Sequence, residues 1–232
     1  MLTTEGYTAV RGKQISRSGW TGLTYESYEY QTIYFKTAKF ELTENKGQKW
    51  LSDTPDKQFS EFSGYDNGRP RGINYAELKV KGSDETFFVF NVHLENASPA
   101  KRLQEAQKLV TLVGEIAGDT PSIMCGDFNL ISNSGDENDK SAIAALKGAY
   151  DDSRLVADVT ETYGTFINAE GTIFGAKDTT ATATSGTIID YCFTSENDFH
   201  VYSYDVISEK QDGIYTSDHL PLLIKLAIKS DK

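Results

Sequence analysis

Stretches in which hydrophobic and polar residues alternate recur along the chain, and this two-residue period is typical of β-strands. Glycine, serine, asparagine or aspartate borders most of these stretches, as expected where strands end in turns. Residues 85–94 are instead almost wholly apolar, which predicts a central strand buried on both faces. The pattern predicts strands over residues 7–10, 27–35, 38–42, 72–81, 85–94, 122–126, 186–195, 200–207 and 220–228.

Apolar residues at helical spacing predict one long helix between Ser98 and Gly118. Ser98 is suited to cap the first turn, Pro99 to occupy the first helical position, and Gly118 to end the helix. A short helix is predicted over residues 140–148, after an acidic loop at 132–139. Strands with few helices between them favour an α+β sandwich over a parallel doubly wound sheet.

Two further regions lack a clear period. The stretch from Trp50 to Arg71 is polar and contains several glycines and prolines, which predicts a loop. A loop of this length inside a compact domain is more often functional than idle. Residues 150–184 are rich in turn residues and threonine, and their pattern does not distinguish exposed strands from loops.

Composition narrows the class of protein. The 232 residues show no linker-like stretch, so we expect one domain over residues 1–232. The net charge of −11 argues against broad, nonspecific binding of nucleic acid, which depends on basic residues that neutralise phosphates. An acidic enzyme can still accept a phosphate ester where a divalent cation or local arginines offset its field.

The same composition predicts where the protein resides. No apolar run approaches the ~18 residues of a membrane span, and the N-terminal residues lack the pattern of a signal peptide. Cys125 and Cys192 lie in apolar strand-like runs, where buried free thiols are expected. We therefore expect a soluble, cytoplasmic protein.

The stretch Gly126-Asp127-Phe128-Asn129 follows a short apolar run. In an extended segment Asp127 and Asn129 face the same way, and a carboxylate beside an amide is suited to holding a polarised water or a phosphate. Glycine, aspartate and asparagine are also the usual residues of turns, so a plain turn is the alternative.

Three more polar positions stand at predicted strand ends. They are His93, Asp190 within an apolar run, and the pair Asp218-His219 just before the last strand. A buried carboxylate needs a partner to offset its desolvation. A histidine is a natural partner for Asp190, since the carboxylate orients the ring and raises its basicity.

The motifs Asn-Val-His-Leu, Gly-Asp-Phe-Asn, Ile-Asp-Tyr and Ser-Asp-His-Leu-Pro occur in this order. Together they resemble the endonuclease/exonuclease/phosphatase superfamily, which has the deoxyribonuclease-I-like fold, and the resemblance spans nearly the whole chain. It implies two packed, mostly antiparallel sheets flanked by helices, in four layers ordered α-β-β-α. Pro-Arg at 70–71 and the helix that carries Arg102 resemble a bacterial subgroup of this family.

The resemblance implies a role for each motif residue. His219 corresponds to the general base that deprotonates the attacking water, and Asp190 to the carboxylate that orients its ring. Asp127 and Asn129 correspond to residues that position the nucleophile and contact the phosphate, and His93 to the histidine that stabilises or protonates phosphate oxygens.

The resemblance also implies a bound Mg²⁺ or Mn²⁺, with Asp218 and Asp127 near the metal. Hard cations of this kind prefer carboxylate and amide oxygens. Arg71 and Arg102 are candidates for binding the substrate phosphate, because guanidinium pairs bidentately with phosphate oxygens; surface salt bridges are the alternative.

The family's usual opening, a core strand with an asparagine followed by a metal-binding Gln-Glu, has no counterpart in this sequence, so its principal glutamate ligand is absent. We expect a missing N-terminal segment or a second chain to complete the sheet, whose edges would otherwise be exposed.

The expected function is that of a metal-dependent phosphoesterase which cleaves a phosphodiester or phosphomonoester, with a small substrate favoured over nucleic acid. The alternatives are a catalytically inactive binding or scaffold module of the same fold and a nonspecific nuclease.

Overall fold

The computed structural model describes residues 5–12, 16–19, 26–65, 70–160, 164–167, 187–213, 215 and 217–229. The described strands are β1 (Tyr7–Arg11), β2 (Ser16–Gly19), β3 (Glu26–Glu29), β4 (Thr32–Lys36), β5 (Phe40–Trp50), β6 (Gly72–Val80), β7 (Thr86–His93), β8 (Ser122–Asp127), β9 (Tyr150–Asp152), β10 (Val159–Thr160), β11 (Asp190–Ser195), β12 (Phe199–Val206) and β13 (Leu222–Ile228). The described helices are α1 (Pro99–Ala117), α2 (Glu137–Lys147) and α3 (Ser153–Val156).

The largest sheet has six strands in the order β5-β6-β7-β8-β11-β9. Its neighbouring strands run antiparallel except β7 and β8, which run parallel. The parallel pair follows from connectivity, because α1 joins β7 to β8 and a crossover helix returns the chain in the same direction. Because this pair is parallel, the C-terminal ends of β7 and β8 lie at the same edge of the sheet.

Helix α1 begins and ends where the sequence predicted. The Ser98 hydroxyl accepts a hydrogen bond from the backbone N–H of Lys101 at 3.3 Å, and Pro99 is the first helical residue. Gly118 ends the helix at φ +54°. The apolar stripe of α1 packs on one face of the six-stranded sheet, with α2 beside it. The larger core formed there includes Phe88, Phe90, Val92, Ala106, Leu109, Val113, Met124, Ala142, Leu146 and Phe193.

The opposite face of the six-stranded sheet packs against two smaller sheets. One is the antiparallel ribbon β1–β4, and the other has the order β10-β12-β13. A second apolar cluster joins them to the large sheet: Val10, Ile33, Phe35, Ala76, Leu78, Phe87 and Phe199. Strand β7 thus has buried phenylalanines on both faces, which confirms the prediction for residues 85–94. Helices, the large sheet and the smaller sheets therefore form an α+β sandwich, as predicted.

A cleft of about 880 Å³ separates β4 from β13. Consecutive residues of both strands line it, from Ile33 to Lys36 on one side and from Leu222 to Ile224 on the other. Because consecutive strand residues point to opposite faces, both strands turn their edges toward the cleft. In the described part of the chain, β4 pairs with β1 and β13 with β12. We predicted that another segment or a second chain covers such edges, and this stays a prediction.

Side-chain amides attach the β1–β4 ribbon to the large sheet at one end. The buried Asn74 amide donates to the carbonyl oxygens of Val10 and Gln31, at 2.9 and 3.0 Å. Gln31 in turn donates to the Gly72 carbonyl oxygen at 2.8 Å, and Asn91 donates to that of Thr32 at 3.2 Å. These side-chain hydrogen bonds join the ribbon to β6 and β7 of the large sheet.

Helix α2 begins earlier than predicted, at Glu137 rather than 140, so the prediction of a loop through residue 139 was wrong at its end. Asp136 caps it by accepting hydrogen bonds from the N–H groups of Asn138 and Asp139, at 2.8 and 3.4 Å. Acidic residues in the first turn also complement the helix dipole. Among the described residues, no helix has the length and apolar content needed to cross a bilayer. The cytoplasmic location stays a prediction.

Candidate active site

Three of the predicted site residues lie in one row across the six-stranded sheet. His93 of β7 is the register partner of Asp127 of β8, and Asp127 is the register partner of Asp190 of β11. Directly paired residues on neighbouring strands point to the same face. That face is the one toward the cleft, since Ile123 and Cys125 precede Asp127 at two-residue intervals and both line the cleft.

Gly126 allows β7 and β8 to approach each other at this edge. Its φ is +145°, a region that residues with a side chain rarely adopt, and a Cβ atom there would lie 2.0 Å from the Val92 carbonyl oxygen. Gly126 is therefore required for the pairing that places His93 beside Asp127.

The Gly-Asp-Phe-Asn stretch is both a turn and part of the site. Asn129 has a φ of +51°, and its backbone N–H donates to Oδ1 of Asp127 at 2.8 Å. The Asn129 amide donates to the Leu94 carbonyl oxygen at 3.1 Å and to Oδ2 of Asp127 at 3.2 Å. The turn is therefore present and orients the Asp127 carboxylate, while the binding of a water or a phosphate by Asp127 and Asn129 stays a prediction.

His219 and Asp190 form a hydrogen-bonded pair. The Nδ1 atom of His219 lies 2.9 Å from Oδ2 and 3.1 Å from Oδ1 of Asp190. This hydrogen bond, together with the negative charge of Asp190, raises the pKa of His219 above its ordinary value. The expected partnership between the buried carboxylate and a histidine is thus present in the structure.

Asp127 faces both histidines. Its Oδ2 atom lies 3.5 Å from Nε2 of His93 and 4.0 Å from Nε2 of His219. Burial, followed by the neighbouring charge of Asp190, raises the pKa of Asp127 to about 6. The structure therefore brings together His93, Asp127, Asn129, Asp190 and His219, which the chain separates by up to 126 positions.

The two candidate arginines differ in their surroundings. Arg71 is buried, and its positive charge is close enough to Asp127 to oppose the rise in the pKa of that carboxyl group. Arg102 is also buried, and its Nε and Nη2 atoms donate to the carboxylate of Asp139 at 2.9 and 3.1 Å. Its Nη1 atom donates to the carbonyl oxygens of Glu95 and Asn96.

Arg102 therefore makes internal contacts, and the structure does not show it among the clustered site residues. Contact of Arg102 with substrate stays a prediction, and so does contact of Arg71. Unlike Arg102, Arg71 lowers the pKa of a candidate site residue, Asp127, through its positive charge.

The predicted metal ligands do not form a complete site. Among the described residues, no group of three or more His, Cys, Asp or Glu side chains is arranged to hold a metal ion. Asp218 is exposed and lies 3.4 Å from the Ser217 hydroxyl, while Asp127 accepts hydrogen bonds from Asn129. These donors alone do not fit Mg²⁺, which usually takes six ligands at near-octahedral positions.

Two residues at the site were missed in the sequence. Thr165 and Phe166 lie within the turn-rich region whose structure the pattern did not resolve. The ring of Phe166 packs against the imidazole of His219, with 5.1 Å between centroids. Phe166 forms isolated bridges with Thr187 and His219, and Thr165 lies beside it outside any strand, so no periodicity could have revealed either residue.

The sequence profile of the Endonuclease/Exonuclease/phosphatase family matches residues 18–219. The chain therefore belongs to this family, as its motifs suggested. The uncharacterized protein L388 of Acanthamoeba polyphaga mimivirus is 29% identical to it over 185 residues. The matched region covers 76% of this chain and 62% of that protein, so the chain spans less than two thirds of this relative's length.

Solved structures share the fold over nearly the whole chain. A functionally unknown conserved protein from Enterococcus faecalis V583 has a TM-score of 0.74 at 24% identity, and the match covers 96% of this chain and 77% of that one. The mannosyl-6-phosphatase Bt3783 of Bacteroides thetaiotaomicron VPI-5482 has a TM-score of 0.69 at 26% identity, with the same two coverages, 96% and 77%. The deoxyribonuclease-I-like fold implied by the motifs is thus confirmed.

Proposed function

We propose that this protein hydrolyses a phosphate ester, with His219 as the general base and Asp190 as the group that orients it. The observation that carries the proposal is the hydrogen bond between Asp190 and Nδ1 of His219, at 2.9 Å. Because Nδ1 is engaged, Nε2 is the nitrogen left to accept a proton from water. That atom faces the partly exposed cluster around Asp127.

In the proposed reaction a water oxygen attacks phosphorus while one of its protons passes to Nε2 of His219. The phosphorus–oxygen bond to the alcohol breaks, the departing oxygen takes up a proton from solvent water, and the proton on His219 then returns to solvent. Asp190 stabilises the imidazolium that forms, as a carboxylate does for a catalytic histidine in general. The raised pKa of His219, caused first by this hydrogen bond, makes the ring a stronger base.

The other clustered residues have positioning and charge roles in the proposal. His93, whose Nε2 atom lies 3.5 Å from Asp127, can donate to phosphate oxygens in its protonated form. Asp127, held by the turn at Asn129, orients the attacking water between the two imidazoles. The buried Arg71 supplies positive charge near this carboxylate.

A small phosphorylated metabolite is the proposed substrate class. The net charge of −11 disfavours long nucleic acids, whose binding depends on many phosphate contacts. A solved relative at 26% identity is a mannosyl-6-phosphatase, which supports a phosphomonoester of modest size. Members of this family generally use divalent metal ions, so we also propose that activity depends on Mg²⁺ or Mn²⁺.

The test compares two histidines of the same chain. With p-nitrophenyl phosphate and its bis-ester as substrates, His219→Ala and Asp190→Asn should each lower kcat, the former by about 10²- to 10⁴-fold. His200→Ala is the matched control, because His200 also pairs with an aspartate, Asp158, at 2.8 Å, but on the exposed surface of β12. Assays with Mg²⁺, with Mn²⁺ and with EDTA measure the metal requirement.

Unchanged turnover in His219→Ala would exclude the mechanism. Wild-type protein that binds a phosphorylated sugar but turns over neither ester would support the inactive binding module instead. Steeply salt-dependent binding of DNA would support the nuclease.

A further inference from the structure

The segment 164–167 connects the two parts of the chain that carry the His219–Asp190 pair. On one side, the backbone N–H groups of Thr165 and Phe166 both donate to the Thr187 carbonyl oxygen, at 3.0 and 2.8 Å. The N–H of Thr187 returns a hydrogen bond to the Phe166 carbonyl oxygen at 3.1 Å. The segment is therefore fastened just before the start of β11, where Asp190 lies.

On the other side, the same segment brackets His219. The N–H of Ile167 donates to the Asp218 carbonyl oxygen at 2.7 Å, and the N–H of Leu220 donates to the Thr165 carbonyl oxygen, also at 2.7 Å. Two short backbone hydrogen bonds thus hold the residues before and after His219. The Phe166 ring covers one side of the imidazole.

The Thr165 side chain completes this connection. It is fully buried, with 0% of its surface exposed. Its hydroxyl oxygen accepts hydrogen bonds from the N–H groups of Ile189 and Asp190, at 3.1 and 3.0 Å. A hydroxyl oxygen has two acceptor positions, and both are used here. The residue that holds Leu220 through its carbonyl thus also holds Asp190 through its hydroxyl.

We infer that Thr165 is the positioning residue of the His219–Asp190 pair. Its hydroxyl sets the backbone position of Asp190, its carbonyl oxygen sets that of the residue after His219, and together they fix the distance between the carboxylate and Nδ1. The catalytic part of this inference rests on the proposed function. The geometric part does not, since it concerns only how two side chains are held.

The hydroxyl is the group to remove. Thr165→Val keeps the shape of the side chain but leaves two buried N–H groups without an acceptor, which costs stability and releases Asp190. Thr165→Ser keeps the hydroxyl and loses only a methyl group. Displacing a group that orients a catalytic residue costs about 10- to 100-fold in activity. We expect this loss in kcat for Thr165→Val, with KM little changed, and kcat near wild type for Thr165→Ser.

Two measurements separate positioning from a general loss of structure. Amide hydrogen exchange should accelerate at Ile189 and Asp190 in Thr165→Val while amides of β6 and β7 keep their protection. The downfield proton resonance of the His219 Nδ1–H, which reports its hydrogen bond to Asp190, should weaken or move. Thr165→Ser should retain both signals.

The outcomes distinguish this inference from the proposed function. If wild-type protein cleaves neither ester, exchange and the Nδ1–H resonance still decide whether Thr165 holds the pair. Unchanged exchange and an unchanged resonance in Thr165→Val overturn the inference, even where His219→Ala abolishes turnover. A loss of kcat in Thr165→Ser equal to that in Thr165→Val also overturns it, since the hydroxyl would then not be the acting group. If Thr165→Val does not fold, Thr165→Ala, which removes the same hydroxyl, replaces it in both measurements.

Discussion

The two faces of the six-stranded sheet are packed to different degrees. On the helical face Phe90, Leu109 and Met124 are fully buried, each with 0% exposure. On the opposite face Ala76 and Leu78 are also buried, but Val89 and Ile123 beside the cleft are only half-buried, as is Leu226 of β13, which lines the cleft as well. Both faces carry similar aliphatic and aromatic residues, so the difference arises from what covers them and not from their composition.

The candidate active-site residues lie at the edge of the less closely packed face. His93, Asp127 and Asp190 share the face of the cleft, and His219 lines the cleft beside Asp190. A closely packed face supports the sheet, whereas an accessible face admits solvent and substrate. The comparison predicts that changes on the helical face cost mainly stability and that changes at the cleft edge cost mainly activity.

The largest effect is expected at Gly126, where both faces depend on one backbone contact. Gly126→Ala places a Cβ atom 2.0 Å from the Val92 carbonyl oxygen at a φ of +145°, so β7 and β8 must separate. We expect a loss of about 4 kcal/mol or more in the free energy of unfolding, in the range of severe core defects. Chemical denaturation measures it.

Gly114→Ala is the control for that change. Gly114 lies on the exposed side of α1 with no atom within 4 Å of its added Cβ, so alanine should stabilise the helix by about 0.5–1 kcal/mol. Equal stabilities of the two variants would show that the β7–β8 contact is not closely packed.

The next effect compares the same substitution on the two faces. Leu109→Ala removes a fully buried side chain and should cost about 3–4 kcal/mol, as in other well-packed cores. Leu226→Ala removes a half-buried side chain beside the cleft and should cost only about 1 kcal/mol, because less area returns to water. Denaturant unfolding of both variants checks the difference. Equal costs would mean that the cleft is filled in solution.

The smallest effect concerns Glu105, an ionisable side chain buried on the helical side. Burial raises the pKa of Glu105 to about 8, while the nearby Lys101 is itself fully buried 2.6 Å from Glu61. A folded-state pKa above the unfolded value means that the folded protein binds the proton more tightly. This contribution to stability is thus fully present below pH ~4.5 and is lost as pH rises toward about 8.

Between pH 6 and 7 the expected loss is about 1 kcal/mol. Glu105→Gln, which is neutral throughout, should flatten this part of the pH–stability curve. Thermal unfolding of both proteins across pH 5–8 measures the difference. If stability fell with pH as steeply in Glu105→Gln as in the wild type, the proton bound on folding would belong to a group other than Glu105.

The sequence predicted the elements and the clustering of the candidate site residues better than it predicted contacts between distant segments. The strand pattern, the capped helix α1 and the strand-end positions of His93, Asp127 and Asp190 all depend on local residues, and the structure shows them together. The meeting of His219 with Asp190 could also be anticipated, because a buried carboxylate requires a partner.

What the sequence did not reveal depends on distant contacts. Arg102 lies on a predicted helix, but its pairing with Asp139 depends on how α2 packs beside α1. The start of α2 was placed too late because Asp136, its cap, stands in an acidic stretch typical of a loop. Thr165 carries no local pattern, since its importance lies in the two separate segments that it joins.

The amides that attach the β1–β4 ribbon have a mechanical consequence. Asn74, Asn91 and Gln31 attach the ribbon where β6 and β7 approach the active-site row, whereas farther along Phe35 contacts the sheet through apolar surface. Hydrogen bonds are directional and apolar contacts are not. The ribbon is therefore held at both ends, by these amides beside His93 and, at the other end, by the turn of residues 37–39 into β5, where the Lys81 N–H donates to the Lys39 carbonyl oxygen at 2.9 Å. The wall of the cleft that β4 forms is thus braced along its length, and the directional bonds stand nearest His93 and Asp127.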